Sequence, residues 1–404
     1  MLKRIHKDQS RIGMFVESLE GNWLSHPFWR TRFKIDSLQT LKSLTESHID
    51  YLWINTSRGL DTNYSTDQNS SPASYTSSPQ LASMEERPSN SLLTQRSEEY
   101  SLAAQTLNTS KTTVIDTFRE ARLGNAIRIK NCMEMVSGIC CSLSRDQEAL
   151  ISLARLKSKD EYTYLHSVTV CALMVALARQ LGLNESEQRE AGLAGMLHDI
   201  GKVNMPDEIL NKPGALSETE FATMQTHPQA GYEILSNTIG IPEVVLDVCL
   251  HHHERVDGRG YPHGLKGGCI SLYARMAAIC DVYDAITSRR AYKEAWDAAG
   301  SLSQMATWTG HFDPAIFQAF VKVVGIYPVG SLVSMESGHL AVVIKNTPSA
   351  LTNPIVKFFY DIRTGTYLTP VVVDLTKNNR ADKIVKREEP SAWGIHDLES
   401  LWRQ

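Results

Sequence analysis

The sequence predicts a multidomain α+β protein, with a large, mainly α-helical unit flanked by a small strand-rich N-terminal domain and a small β-rich C-terminal appendix. Three observations predict it. From about residue 111 to 330 apolar residues recur at helical spacing. After about residue 327 the period changes to two. A polar, Ser/Pro-rich stretch over 63–110 separates the first short apolar runs from all that follows.

Residues 1–62 hold the runs IGMFVESL, HPFWRTRF and YLWINT between turn-rich pieces, which read as strands, with a helix over LQTLKSLTESH. Trp23, Phe28, Trp29, Phe33 and Trp53 read as core aromatics of a small fold, with a ligand or partner surface as their other use. Nothing catalytic is visible there. Residues 63–110 carry too little apolar surface to offset ordering entropy and read as a disordered linker. Residues 111–156 predict a helical connector capped at Ser144 or Asp146. Its apolar stripe serves either packing within a helical domain or a dimer surface.

Residues 157–330 form the central unit. HSVTVCALMVALARQLGL is a buried helix closed by Gly182, and EQREAGLAGMLHDIGK a second whose last turn carries His198 and Asp199. IPEVVLDVCLHHHE leads a third helix into a histidine cluster, and LYARMAAICDVYDAI forms a fourth carrying Asp281. Residues 331–404 supply the strand-like GSLVSM, HLAVVIKN, PIVKFFYD and YLTPVVVDL, then a loose tail with a short amphipathic helix.

Composition narrows the function. A formal net charge of -4 gives no global positive field for a DNA or RNA polymer, so an anionic ligand has to be held locally. Seven cysteines, odd in number and without a CxxC pair, suit free thiols in a reducing compartment. No leader-like segment and no apolar run long enough to span a bilayer is visible, so the expectation is a soluble cytoplasmic protein.

The chemistry lies in His166, His198, Asp199, His227, His252, His253 and Asp281. One histidine on an apolar helix face is usually a satisfied core residue; seven ligand-type groups on separate helical segments read as a polynuclear metal site. A carboxylate has two oxygens and can bridge, so the adjacent His198 and Asp199 can serve two metals. Two ions about 3.5–4 Å apart would activate a water and neutralise charge building on a phosphorus. Lys202 suits a phosphate oxygen, although a solvated lysine is the plain alternative, and Arg290 and Lys293 can grip a second phosphate. In DGRGYPHGL, Gly258 and Gly260 allow a tight path while Tyr261 stacks a base or packs the loop. The glycines do not form a phosphate-binding GxGxxG or GxxxxGK motif.

HDIGK, the preceding YTYLHS, THPQAGYEIL, HHERVDGRGYP and RMAAICDVYDAITSRRAYKEA together resemble the HD-GYP family of the HD metal-dependent phosphohydrolases, over roughly residues 137–330. That resemblance implies hydrolysis of cyclic di-GMP to pGpG and, in some members, onward to GMP. It implies His166, His198, Asp199, His227, His252, His253 and Asp281 as metal ligands, with Asp199 bridging. It further implies Asp199 and Lys202 as catalytic, and Lys202, Gly260, Tyr261, Arg290 and Lys293 as contacts to substrate. The implied cofactor is two divalent metal ions, Fe or Mn first and Ni, Co, Mg or Zn as alternatives. His251 falls outside the family's HHE pattern. Some members with three metals carry a glutamate where Tyr162 stands, with Glu161 one position off, so a binuclear site is expected. KRIHKDQSRIGMFVESLEGNWLSHPFWRTRFKI and YLWINTSRGLD resemble the small domain of unknown function often found ahead of this unit. A diguanylate cyclase docking on the GYP loop and a homodimer are the expected protein partners, with no membrane contact. Two other functions fit the same residues: an HD phosphohydrolase acting on another nucleotide, and a non-catalytic cyclic di-GMP receptor or adaptor.

Overall fold

The computed structural model describes residues 2–19, 33–35, 41, 44–45, 51–60, 90–155, 162–212, 214–288, 298–347, 349–377, 382–395 and 397–403. The chain divides into two units, Met1–Glu85 and Glu86–Gln404.

In the first unit β1 (Leu2–His6), β2 (Phe15–Leu19), β3 (Phe33–Lys34) and β4 (Tyr51–Asn55) form an antiparallel sheet in the order β1-β4-β2-β3. Period-two alternation turns Ile5, Val16, Leu52 and Ile54 to one buried face, where Met14, Ile35 and Leu44 join them. Nothing in the period marks β1 in the sequence, because Lys3, Arg4 and His6 surround the buried Ile5. Of the aromatics, Trp53 is half-buried on β4; Phe33 lies on β3 with nothing described of its side chain, and Trp23, Phe28 and Trp29 fall outside the described residues.

The second unit begins with α1 (Asn90–Arg122), which corrects the expected linker. Residues 90–110 are helical, and 61–89 lie outside the described residues. Tyr100, Ala103, Leu107, Ser110, Val114, Phe118 and Ala121 recur every three or four residues and are buried. The serines and threonines between them made the composition resemble low complexity. α2 (Ile129–Ala154) packs against α1, and both contribute to the core of the central helices, so packing accounts for the apolar stripe. At Asp146 the helix breaks, and its carboxylate accepts the Ala149 amide at 2.9 Å, capping the second segment.

The site-bearing helices follow. α3 (Tyr162–Gln180) ends at Gly182, whose φ of 80° permits the Leu183 amide to reach Ala178 O. α4 (Glu185–Leu197) starts with an Asn184/Glu187 capping box. A Cβ on Gly195 would stand 2.9 Å from Val170 O, so glycine lets α4 cross close to α3 and brings His198 near His166. A 3-10 turn (Ile200–Asn204) and α5 (Asp207–Leu210) lead to α6 (Glu218–Met224), α7 (His227–Ser236) and α8 (Glu243–His251). A Cβ on Gly201 would lie 2.0 Å from His227 O; the glycine of HDIGK thereby seats α7 directly on the turn. Beyond the glycine-rich loop come α9 (Leu272–Thr287), α10 (Ala298–Ala306) and α11 (Pro314–Val324).

The C-terminal sheet has the order β8-β7-β6-β5-β9, with β5 (Leu332–Met335), β6 (His339–Lys345), β7 (Ile355–Asp361), β8 (Thr366–Asp374) and β9 (Ile384–Arg387). β5 is buried on both faces: Leu332 joins the helical core, as do Leu340, Val342 and Phe359, while Val333 and Met335 belong to a second cluster on the other face. The tail is not loose. α12 (Glu399–Trp402) buries Trp402, whose ring lies 5.8 Å from that of Tyr100 at the other end of the unit. Among the described residues no helix is long and apolar enough to cross a membrane.

Candidate metal centre

Each predicted ligand comes from the end or the inner face of a helix. His166 stands in the first turns of α3, His198 and Asp199 follow α4, His227 opens α7, His252 and His253 follow α8, and Asp281 lies in α9. The structure brings all seven together. His166, His198, Asp199, His227 and His252 are buried, and Asp281 almost as fully. Their ligand-type atoms fall into three overlapping groups: Asp199 with His227, His252 and His253; His166 with His198 and Asp199; and His198 with His252 and Asp281. Asp199 spans the first two, its Oδ1 at 3.3 Å from His227 Nε2 and its Oδ2 at 3.3 Å from His198 Nε2.

The imidazoles are oriented from behind. Nδ1 of His198 donates to Gly195 O at 2.8 Å, that of His227 to Met224 O at 2.7 Å and that of His252 to Cys249 O at 3.0 Å. A carbonyl only accepts, so in the neutral ring the proton sits on Nδ1 and the Nε2 lone pair faces the centre. His227 Nε2 and His252 Nε2 then stand 3.3 Å apart with lone pairs opposed, and His198 Nε2 and Asp199 Oδ1 are buried without a hydrogen-bond partner. Buried acceptors that face one another are costly unless a cation satisfies them. The donor set therefore fits divalent metal ions.

His166 is held differently. Its Nδ1 meets Asp284 Oδ2 at 2.6 Å, and its Nε2 lies 3.1 Å from Asp281 Oδ1. Burial lowers its pKa, but Asp199, Asp281 and Asp284 outweigh burial and raise it to about 10. Burial would raise the Asp199 carboxyl, yet Lys202 and His198 hold it well below the ordinary range. His253 goes the other way, pushed down to about 3 by burial and by His227. Asp284 was missed by the sequence reading, although its signal was present: DVYD places it three residues after Asp281, on the same helix face.

Lys202 sits beside the cluster, its Nζ donating to Asp199 Oδ2 at 2.5 Å. Arg290 and Lys293 lie outside the described residues, as does Glu161; Tyr162 opens α3 and nothing is described of its side chain. His251 bonds Asp247 at 2.8 Å and His263 at 3.0 Å.

Residues 144–316 match the HD domain family, and residues 2–132 match the Domain of unknown function (DUF3391). Over 403 residues the chain is 49% identical to a protein of Pseudomonas aeruginosa named a cyclic di-GMP phosphodiesterase, covering 100% of this chain and 96% of that one. The chain belongs to the HD-GYP family. It is also 38% identical to a Xanthomonas campestris cyclic di-GMP phosphodiesterase response regulator, over 50% of this chain and 57% of that protein. A 3'3'-cGAMP-specific phosphodiesterase of Vibrio cholerae is 37% identical over 43% of this chain and 42% of its own length.

The loop that gives the HD-GYP family half its name closes one side of the centre. Tyr261 stacks on His253, ring centroids 4.7 Å apart at 30°, with Phe221 edge-on at 6.5 Å. Gly260 acts by its lack of a side chain: a Cβ there would meet Arg255 N at 2.4 Å and His253 O at 2.5 Å, so it is a packing position beneath the loop. Glu254, buried and also missed as a functional residue, accepts the His263 amide at 2.7 Å and the Leu265 amide at 2.9 Å. Arg255 grips Asp257 through Nε at 3.2 Å and a terminal nitrogen at 2.6 Å, and the Asp257 amide binds Gly310 O.

Proposed function

We propose that this chain is a metal-dependent cyclic di-GMP phosphodiesterase, cleaving one phosphodiester bond to give pGpG and then, in a second round, GMP. The observation that carries it is the sharing of Asp199 between two groups of ligand atoms in a chain 49% identical, nearly end to end, to a protein bearing that name. His166, His198, Asp199 and Asp281 would hold one ion and Asp199, His227, His252 and His253 the other, with iron or manganese the best match to this mixture of imidazole and carboxylate. Bound there, two such ions supply an activated water and charge neutralisation at phosphorus.

The chain's own groups set the rest. Lys202, held by Asp199, places a cation beside the cluster where a non-bridging phosphate oxygen would sit. Tyr261 offers a flat wall at the mouth, suited to a purine. Arg290 and Lys293 complete the anion contacts in this reading. A diguanylate cyclase docking on the loop is supported by the exposure of Pro262, His263 and Gly264, and a homodimer by exposed Leu102 and Leu123 on or beside α1.

The test is a product time course with cyclic di-GMP, 3'3'-cGAMP and bis(p-nitrophenyl) phosphate on protein purified without oxygen, its metal content measured. Cyclic di-GMP is expected to be turned over fastest, with pGpG appearing before GMP. Faster turnover of 3'3'-cGAMP would move the substrate to the mixed dinucleotide. Binding of cyclic di-GMP without turnover, at full metal content, would make the chain a receptor.

A further inference from the structure

His251 and His263 are used by neither the metal cluster nor the carboxylate network, yet they join in a hydrogen-bonded string. Asp247 on α8 accepts the Ser271 hydroxyl at the N-cap of α9 through Oδ2, and accepts His251 Nδ1 at 2.8 Å through Oδ1. His251 Nε2 in turn stands 3.0 Å from His263 Nδ1. The direction follows from the acceptor at the root. A carboxylate donates nothing, so His251 Nδ1 carries its proton, Nε2 is bare in the neutral ring, and His263 Nδ1–H donates.

The string ends on the exposed side of the loop that carries Tyr261. Three residues at the end of α8 hold that loop by three different bonds. His253 supports the Tyr261 ring and accepts its amide through the backbone carbonyl, Glu254 accepts the amides of His263 and Leu265, and His251 takes the His263 side chain. Only the last ties the loop tip sideways to the root of α9, the helix that carries Asp281.

We propose that the Asp247–His251–His263 string is a latch that fixes the Tyr261 loop over His253, making His251 and His263 positioning residues for the nucleotide. The inference rests on the cyclic dinucleotide reading above. A pre-organised wall costs no ordering when substrate binds, and a loosened one does. The latch therefore acts on KM for a substrate large enough to reach Tyr261, and leaves the chemistry at the metal cluster alone.

His263→Ala and His263→Asn test it, because the asparagine amide nitrogen stands where Nδ1 stands and can donate the same bond. Exposed Arg259 and Lys266 flank the loop, so limited trypsin cleavage there reads its fixation without any substrate. In His263→Ala, cleavage is expected to quicken about 3–10-fold and KM for cyclic di-GMP to rise about 3–10-fold, the scale of one neutral hydrogen bond. Turnover number, metal content and bis(p-nitrophenyl) phosphate hydrolysis are expected to stay at wild-type values, and His263→Asn to recover both changes. Unchanged cleavage in His263→Ala, faster cleavage with unchanged KM, an Asn variant that behaves as Ala, or an equal loss on the small substrate would each overturn the latch. Should wild-type protein fail to hydrolyse cyclic di-GMP, the substrate reading falls and the trypsin series alone decides whether the loop is latched.

Discussion

On the two sides of the cluster, His166 and the pair His227 and His252 are supported by opposite means. Around His166 the support is carboxylate: Asp284 behind it, Asp281 and Asp199 in front. Behind His227 and His252 it is backbone, the carbonyls of Met224 and Cys249, and in front the two rings face one another and Asp199. His166 is therefore driven toward its protonated form when no metal is bound, whereas His252 and His253, buried among imidazoles, are driven toward the neutral one. Burial lowers the pKa of His166, His252 and His253 alike, and the carboxylates around His166 reverse it there.

Removing the residue that joins the halves should break the contrast altogether. Asp199→Ala is expected to lower turnover on the order of 10³-fold or more, beyond the loss of a single transition-state donor, with the helical circular dichroism retained. Metal analysis of the purified variant checks it, since both ions should be depleted together.

The next largest effect should fall on one half alone. Asp284→Ala removes the carboxylate behind His166 and is expected to weaken metal binding about 10–100-fold, the scale of a lost partner to a ligating histidine. Competition with a chelator measures it, and only the ion held with His166 should be affected. Behind His227 and His252 the acceptors are backbone carbonyls, which no substitution deletes, so a lesion there comes through packing. Gly201→Ala drives a methyl toward His227 O and is expected to cost about 1–3 kcal/mol of stability by overpacking, read by denaturant titration.

The smallest effect is in pH. In protein stripped of metal by a chelator, His166 contributes stability that is full below its ordinary pKa and is lost as pH rises through about 10. His253, held neutral with its pKa at about 3, makes the opposite slope: between its ordinary value and 3 the unfolded chain binds the extra proton, so stability falls as pH falls. The Tm of stripped protein should thus fall toward both acid and alkali, and restored metal should flatten the alkaline limb. A Tm that keeps rising into alkali would contradict the carboxylate-backed half.

What could be read in the sequence was the chemistry with strong local signature. HD, HHE and DVYD place ligand-type residues side by side, which made His198, Asp199, His252, His253 and Asp281 legible; His166 in YTYLHS and His227 in THP came with the family resemblance, and all seven meet in space. The supporting groups were not, because support is a contact across elements. Asp284 and Glu254 look like surface acids until α3 and the loop are laid over them, and Gly201 is unremarkable until α7 is seated on it. Composition misleads where it is averaged: the serines and threonines of α1 hide Tyr100, Leu107 and Phe118 at helical spacing, so residues 90–110 read as linker. The C-terminal strands were legible by period, but the burial of β5 on both faces, and of Trp402 beyond them, depends on the helices beneath.

The central claim is that Asp199 joins two metal positions into one phosphodiesterase centre. Metal-stripped protein titrated with manganese or, without oxygen, ferrous iron, while cyclic di-GMP turnover and bound metal per chain are followed together, tests it most directly. Turnover is expected to stay near zero until the second ion binds and to reach its plateau at about two per chain, as a two-metal centre requires. Full turnover at one ion per chain or fewer would contradict it.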